Sequence, residues 1–458
     1  MKTYYETARD LLDRRDKYLE QRKKKRKTLI QIFSVVIAVC ASLMILLGIL
    51  SRHDGNAVVR AANLLEGIRP SEITQVYDMN GPGVAAMMDF AVSLLKEEGK
   101  KGGNVLISPL SALYSLGMMA NGADGSTRSQ MEEVIGMKTD DLNLALYTFR
   151  NALSEEEKKH LIQANSIVFS DGRGYQMNMN FLQTCADYYQ ADLYQTPFDI
   201  NMVREVNEWV ADRTSQKITE ILEEVPEESV AYIINALSFE AQWENECDKE
   251  KMRKGRFRLD NGETKTVTYL TFQEDQYHWG KEETGFIKYY QADSGRQYAF
   301  MAILPRYGTK MVDYLSKLSG SRLHDCISET DYICDRKKFR ISIPRFAVSY
   351  ESDLSESLKA LGMTEAFDGD QADFSSLGSF SHKKKSVPFI GQFIHKTTLS
   401  IDGKGTKARA ASAIAFESEE EIVDDYASVN LSRPFIYVIF DCKTKLPVFL
   451  GICNEPVE

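Results

Sequence analysis

Hydrophobic positions along the 458-residue chain change character twice. Leu29 to Leu50 (LIQIFSVVIAVCASLMILLGIL) runs 22 residues without a charge, interrupted only by Gln31, Ser34 and Ser42. Residues 51 to 82 then mix polar residues with Gly and Pro, including the turn-like Asn80-Gly81-Pro82-Gly83, and read as a tether with one short helix around Ala57 to Glu66. From Val84 onward the pattern is regular. Val84 to Glu97 and Pro109 to Asn121 carry apolar residues at helical spacing, and Asp199 to Val225 holds a further helix with Val206, Trp209, Val210 and Ile218 on one side. Strand-like stretches follow at Leu161 to Phe169, Val230 to Phe239, Gly285 to Tyr290, Tyr298 to Leu304, Phe339 to Phe346, Thr397 to Ile401, Phe435 to Asp441 and Val448 to Cys453. Helices early and strands later, separated by long connections, predict an α+β fold rather than alternating βαβ units.

The uncharged segment is long enough to span a bilayer. At about 1.5 Å per helical residue it covers roughly 33 Å, against about 30 Å of hydrocarbon. A cleaved secretory signal has a shorter apolar stretch, about 7 to 15 residues, and a small-residue cleavage site, which does not follow Leu50 convincingly. Six consecutive basic residues, Arg22 to Lys27, precede the span, and Ser51, Arg52, His53 and Asp54 after it are nearly neutral. The charge bias then places the N-terminus in the cytoplasm. The predicted organisation is a cytoplasmic basic segment over 1–28, a transmembrane signal-anchor helix over 29–50, a linker over 51–82 and one outward-facing globular domain over 83–458.

Composition narrows the function. The net charge is −10, yet residues 1–28 carry 11 Lys/Arg against 5 Asp/Glu, so the globular part is acidic, at −16. An acidic body without a basic stripe is a poor partner for phosphate backbones, and no nucleic acid is expected to bind. The seven cysteines (Cys40, Cys185, Cys247, Cys326, Cys334, Cys442 and Cys453) form no C-x-x-C pair and read as buried small hydrophobes. Cys442 and Cys453 flank a hairpin but fall off opposite positions, which argues against a disulfide. Hydrolase elbows, P-loops, H-E-x-x-H and G-x-G-x-x-G are all missing from the sequence. Asp368, Asp370 and Asp373 loosely resemble a calcium loop but lack its closing glutamate, and read as a solvated turn. Neither a metal nor a cofactor is expected, nor a catalytic residue.

The informative segment is Gly403 to Arg433, GKGTKARAASAIAFESEEEIVDDYASVNLSR, between one strand and the final strand pair. Thr406, Ala408, Ala410 and Ser412 alternate and are all small, whereas Lys407 and Arg409 take the other parity. As a strand, this segment could enter a packed sheet by its small face and keep the other in water. Glu417 to Asp425 follows with six acidic residues and no basic one. An exposed loop of about thirty residues in a compact domain is usually functional or disordered, and a protease reaches it easily.

From about Val84 to the C-terminus, 375 residues, the chain resembles the serpins. The likeness rests on ordered motifs. Asn104 to Thr127 (NVLISPLSALYSLGMMANGADGST) is similar to an early signature; Asn207, Trp209, Thr214, Lys217 and Ile218 look like a helix motif; and INALSFEAQW over Ile234 to Trp243 supplies Asn235 and Trp243. Ile343-Pro344-Arg345-Phe346, Leu361-Gly362-Met363, His395-Lys396 and Arg433-Pro434-Phe435 complete the order. A membrane-anchored member of bacterial origin is the expected form.

The resemblance implies a serpin fold of three β-sheets and about eight or nine helices, with an exposed reactive loop. It also implies a one-use inhibitor without turnover, whose cleaved loop inserts into a central sheet and traps the protease as an acyl-enzyme. Ser108, Ser111, Asn235, Trp243 and His395 would control opening of that sheet; Gly405, Thr406, Ala408, Ala410, Ala411 and Ser412 would form the hinge. Gly403, where glutamate is usual, and Arg409, where alanine is common, depart from the family pattern. Counting forward from the hinge places the reactive bond at Glu419-Glu420, and counting back from Pro434 places it four positions later at Val423-Asp424, beside Ile422. The forward count is preferred because insertion length is what the trap depends on. The expected partner is an extracellular serine protease, glutamate-specific if the bond is acidic and elastase-like if it lies at Ile422 or Val423, with a cysteine protease as the lesser option. A monomer on the outer face of a membrane is expected. The alternative is a non-inhibitory serpin serving as a surface binding or structural protein.

Overall fold

Helix starts and the burial of whole strands explain the architecture. In the computed structural model, which describes residues 61–152, 161–170, 175–189, 191–224, 231–247, 252–292, 296–328, 331–332, 339–380, 388–406 and 428–458, nine α-helices and three large sheets are present among the described residues. A fourth, two-stranded sheet of Gly378–Phe380 and Tyr175–Met177 adds to the three expected. The basic segment, the apolar span at 29–50, the first ten residues of the expected tether, Cys40, Cys334 and the loop over 407–427 lie outside the described residues. Among the described residues no helix is long and apolar enough to cross a membrane.

Pro109 occupies the first turn of helix Pro109–Gly122, where a missing N–H costs nothing, and the Ser108 hydroxyl caps that end by accepting from Ser111 N at 3.2 Å. Every residue of this helix except Asn121 is buried. A helix apolar on all sides belongs in an interior, and this one lies between two sheets, against Leu161–Ser170 and Ala231–Phe239 on one side and Pro447–Cys453 on the other.

The eight-stranded sheet runs in the order Ala62–Asn63, Asp192–Thr196, Leu161–Ser170, Ala231–Phe239, Ile390–Ile401, Gly405–Thr406 and Ala241–Gln242, with Phe346–Asp353 also paired to Ile390–Ile401. All nine residues of Ala231–Phe239 are buried, because both faces of the sheet are covered. Ile233, Leu237 and Phe239 join the main core. Tyr232, Ile234 and Ala236 meet a second cluster with Val206 and Val210 of helix Ile200–Arg213. Trp209 packs partly buried against that cluster. Ile218 reaches it from beyond the helix, which stops at Arg213 rather than continuing towards Val225. The stop is local: the Thr214 hydroxyl donates to Val210 O at 2.7 Å and accepts from Ile218 N at 3.1 Å.

A seven-stranded sheet contains Gln276–Trp279, Glu283–Tyr289, Tyr298–Pro305 and the final hairpin Phe435–Asp441 with Pro447–Cys453. A four-stranded sheet orders Ser428–Asn430, Phe339–Pro344, Thr264–Glu274 and Met252–Arg258. Cys442 and Cys453 are free thiols, as are Cys185 and Cys326. Over residues 61–81 the expected tether docks on the body: Ala62–Asn63 pairs with Asp192–Thr196 as a strand where a short helix was expected, and Tyr77 N donates to Thr148 Oγ1 at 2.9 Å. Asp368 and Asp373 spend carboxylate oxygens on local backbone N–H groups, at Asp370 and Ser375, as a solvated turn does.

Candidate functional site

At the centre of the eight-stranded sheet two neighbouring strands run parallel. Ile390–Ile401 pairs with Ala231–Phe239, and His395 stands directly opposite Asn235. Both are fully buried, as are Ser108, Ser111 and Ser115 of the underlying helix. Their polar atoms close on one another. Ser108 N donates to His395 Nε2 at 3.0 Å, so the ring carries its proton on Nδ1, which donates to Asn235 Oδ1 at 3.0 Å. The Asn235 oxygen also accepts from Ser111 Oγ at 2.7 Å, and its amide donates to Ser115 Oγ at 3.1 Å.

Burial pushes the His395 imidazole down to about 4, against the weaker upward pull of the Glu98 carboxylate. A protonated ring would also face its new N–H towards the Ser108 N–H at a helix N-terminus, where positive charge is disfavoured. The network therefore joins helix to both central strands through a neutral histidine. Four of the five residues assigned to sheet opening lie in it. Ser115 was missed, although its position one turn beyond Ser111 on the same helix face was readable.

Trp243 does not join that network; it builds a second cluster at the end of the sheet where the loop begins. Asp402 to Gly405 folds into a tight turn: Asp402 Oδ1 accepts from Lys404 N at 2.8 Å and Gly405 N at 3.1 Å. The chain then doubles back, so that Thr406 pairs antiparallel with Ile401 on one side and with Ala241 on the other. Gly405 lies so close to the neighbouring strand that a Cβ there would sit 2.1 Å from Ala241 O. Thr406 is fully buried, its hydroxyl 2.6 Å from Tyr290 Oη. Tyr290 stacks on Trp243 with ring centroids 4.3 Å apart, and Trp243 Nε1 donates to Asp402 O at 2.9 Å. Beneath them Lys288 Nζ pairs with Glu274 at 2.6 Å and lies 3.9 Å from the Phe272 ring centroid. Burial presses the Lys288 ammonium below its ordinary value, with Glu274 opposing.

Gly403, which departs from the expected glutamate, fits its surroundings, since a Cβ there would meet the Met252 methyl at 2.7 Å and Cys247 O at 3.1 Å. Of the hinge residues, Gly405 and Thr406 are placed; Ala408, Ala410, Ala411 and Ser412 lie outside the described residues, as do Glu419, Glu420, Ile422, Val423 and Asp424. Tyr290, Lys288 and Glu274 were not singled out from the sequence, because nothing local links them to the hinge. The loop's far end is held separately, by Ser428–Asn430 parallel to Phe339–Pro344 and by Arg433 Nη2 donating to Pro305 O at 2.6 Å.

A family profile described as Serpin (serine protease inhibitor) matches residues 85–456. The chain belongs to the serpin family. Among its relatives, mouse (Mus musculus) neuroserpin is 29% identical over 370 residues, covering 77% of this chain and 86% of that protein. Human (Homo sapiens) serpin B8 is 27% identical over 376 residues, covering 80% and 97%. The solved structure of the thermophilic serpin tengpin in its native state is 35% identical with a TM-score of 0.78, covering 87% of this chain and all of that one. Tengpin in the latent state gives 34% and 0.70, covering 83% and 99%. Serpins are in general protease inhibitors rather than enzymes, and serine proteases are their general targets.

Proposed function

We propose that this serpin is an inhibitory suicide substrate for an extracellular serine protease, held on the outer face of a membrane by residues 29–50. The observation that carries the reading is the arrangement at Thr406. Two long central strands lie side by side in parallel, and the loop starts between their ends as an antiparallel strand already paired to both sides. Continuing that strand would replace one parallel interface by two antiparallel ones, which are the more stable per residue. The small inward parity at Thr406, Ala408, Ala410 and Ser412 suits such an insertion. The greater likeness to a native-state than to a latent-state serpin supports a sheet still awaiting it; a bacterial source remains part of the proposal. Glu419-Glu420 is the proposed bond and a glutamate-preferring protease the proposed target; Ile422, Val423 and Asp424 mark the elastase-like variant.

The test adds a protease panel to sealed membranes bearing the full-length chain. The expected result is a denaturant-resistant covalent complex that stays with the membranes after an alkaline wash, and a released fragment beginning at Glu420. Clean loop cleavage without a complex would establish the non-inhibitory alternative. A complex that washes off would remove the anchor, and a fragment starting outside Ser418 to Tyr426 would refute the placement of the bond.

A further inference from the structure

Away from the loop, three side chains of complementary ligand chemistry meet in the interior. The hairpin of Gln276–Trp279 and Glu283–Tyr289 brings His278 to Glu283, and helix Gly320–Ser328 lays Cys326 against both. All three are buried, and one ligand atom from each lies within 4.8 Å of the others. His278 Nε2 is 3.1 Å from Glu283 Oε1, and Cys326 Sγ is 4.0 Å from the same oxygen. Ordinary zinc bond lengths in a tetrahedral set space nitrogen and oxygen donors about 3.4 Å apart and sulfur and oxygen donors about 3.6 Å apart. These two observed distances lie on either side of those values, and the nitrogen and sulfur lie within 4.8 Å of each other, so modest side-chain shifts bring this oxygen, nitrogen and sulfur around one ion.

The site already draws a cation. The Arg322 guanidinium is paired with Glu283 Oε1, while Tyr314 Oη donates to Oε2 at 3.2 Å. Arg322 reaches in from the surface with its side chain 35% exposed, so it can withdraw to water. Gly280 keeps the approach open: a Cβ there would stand 2.0 Å from Glu283 Oε1 and 2.6 Å from Arg322 Nη2.

We propose that His278, Glu283 and Cys326 form a binding site for a zinc-type, thiophilic divalent cation, with Arg322 as its removable counter-ion. In the structure His278 Nε2 donates to Glu283 Oε1; as the ion binds, the ring takes its proton on Nδ1 instead and the Nε2 lone pair turns to the metal. The Cys326 thiol releases its proton to solvent as the sulfur–metal bond forms, Arg322 leaves Glu283 for water, and a water molecule takes the fourth position. Thiolate and imidazole together favour zinc over magnesium or calcium. Once bound, the ion ties the hairpin of the seven-stranded sheet to the helix behind it.

Titrating cobalt(II) into the metal-free, reduced full-length chain tests this. The expected result is a thiolate-to-cobalt charge-transfer band with release of one proton per ion. Cys326→Ser should lose the band, and Arg322→Ala, a change near the surface, should bind at least about tenfold tighter, about 1.4 kcal/mol, because the competing cation is gone. The site is rejected if the folded wild type gives no band, if the band survives in Cys326→Ser, or if Arg322→Ala binds no tighter than wild type.

Discussion

His395 concentrates the energetics of the central sheet in one ring. Its folded-state value near 4 lies below the ordinary 6.5, so the folded chain refuses a proton that the unfolded chain accepts. Above about pH 6.5 both states are neutral and the residue adds no pH dependence. As the pH falls from there towards 4 the unfolded state alone gains the proton, and stability declines by up to about 3 kcal/mol, at 1.36 kcal/mol for each pKa unit. Thermal unfolding midpoints measured across that window should fall steeply for the wild type and more shallowly for His395→Gln. Equal slopes would show that another group is responsible. Asn235 shares this fate, since it accepts from both Ser111 and His395; deleting its side chain strands two buried donors at once.

At the scale of elements, the proposed mechanism makes the hinge strand decide whether the loop can enter. Thr406 is seated between Ile401 and Ala241 with its hydroxyl on Tyr290, and a guanidinium in that seat would have to be stripped of water. Thr406→Arg should slow insertion by roughly 100-fold or more while leaving the distant loop segment cleavable. The measurement is the ratio of covalent complex to cleaved product with one protease: the variant should give cleaved product almost alone, and an unchanged ratio would exclude Thr406 from the mechanism. Strands with uniform apolar runs were legible in the sequence. Phe435–Asp441 is found at its expected bounds, and Ala231–Phe239 within one residue. Ile390–Ile401 was read only from Thr397, because its buried parity is filled by His395 and Thr397 as well as by Phe393 and Leu399, and a buried polar residue looks like an exposed one in sequence. Met252–Arg258 escaped for the related reason that the charged residues of an edge strand mask a sheet held by its neighbour Thr264–Glu274. The residues of the buried network at Ser108, Ser111, Asn235 and His395 were singled out through family motifs, whereas the links of Tyr290 and Lys288 to the hinge, and of Cys326 to His278 and Glu283, exist only once distant segments meet.

For the whole molecule, the proposed mechanism stores free energy in a sheet whose two central strands are paired in parallel rather than in the more stable antiparallel way. His395, Asn235 and the serines lock the parallel pair on its inner face, and helix Ile200–Arg213 covers the outer one, so the strands part only when something drives them. In the proposed mechanism cleavage supplies the drive by freeing a strand of a dozen or so residues with its backbone hydrogen-bonding groups. Once inserted, each pairs with a neighbour at a net gain near 1 kcal/mol per bond, and the unfolding midpoint of the cut chain should exceed that of the intact chain by on the order of 10 °C or more. The comparison is a pair of thermal scans on full-length chain before and after nicking within Ser418 to Tyr426. A midpoint left where it was would mean that the freed strand stays outside, and a sheet that cannot accept it cannot trap a protease.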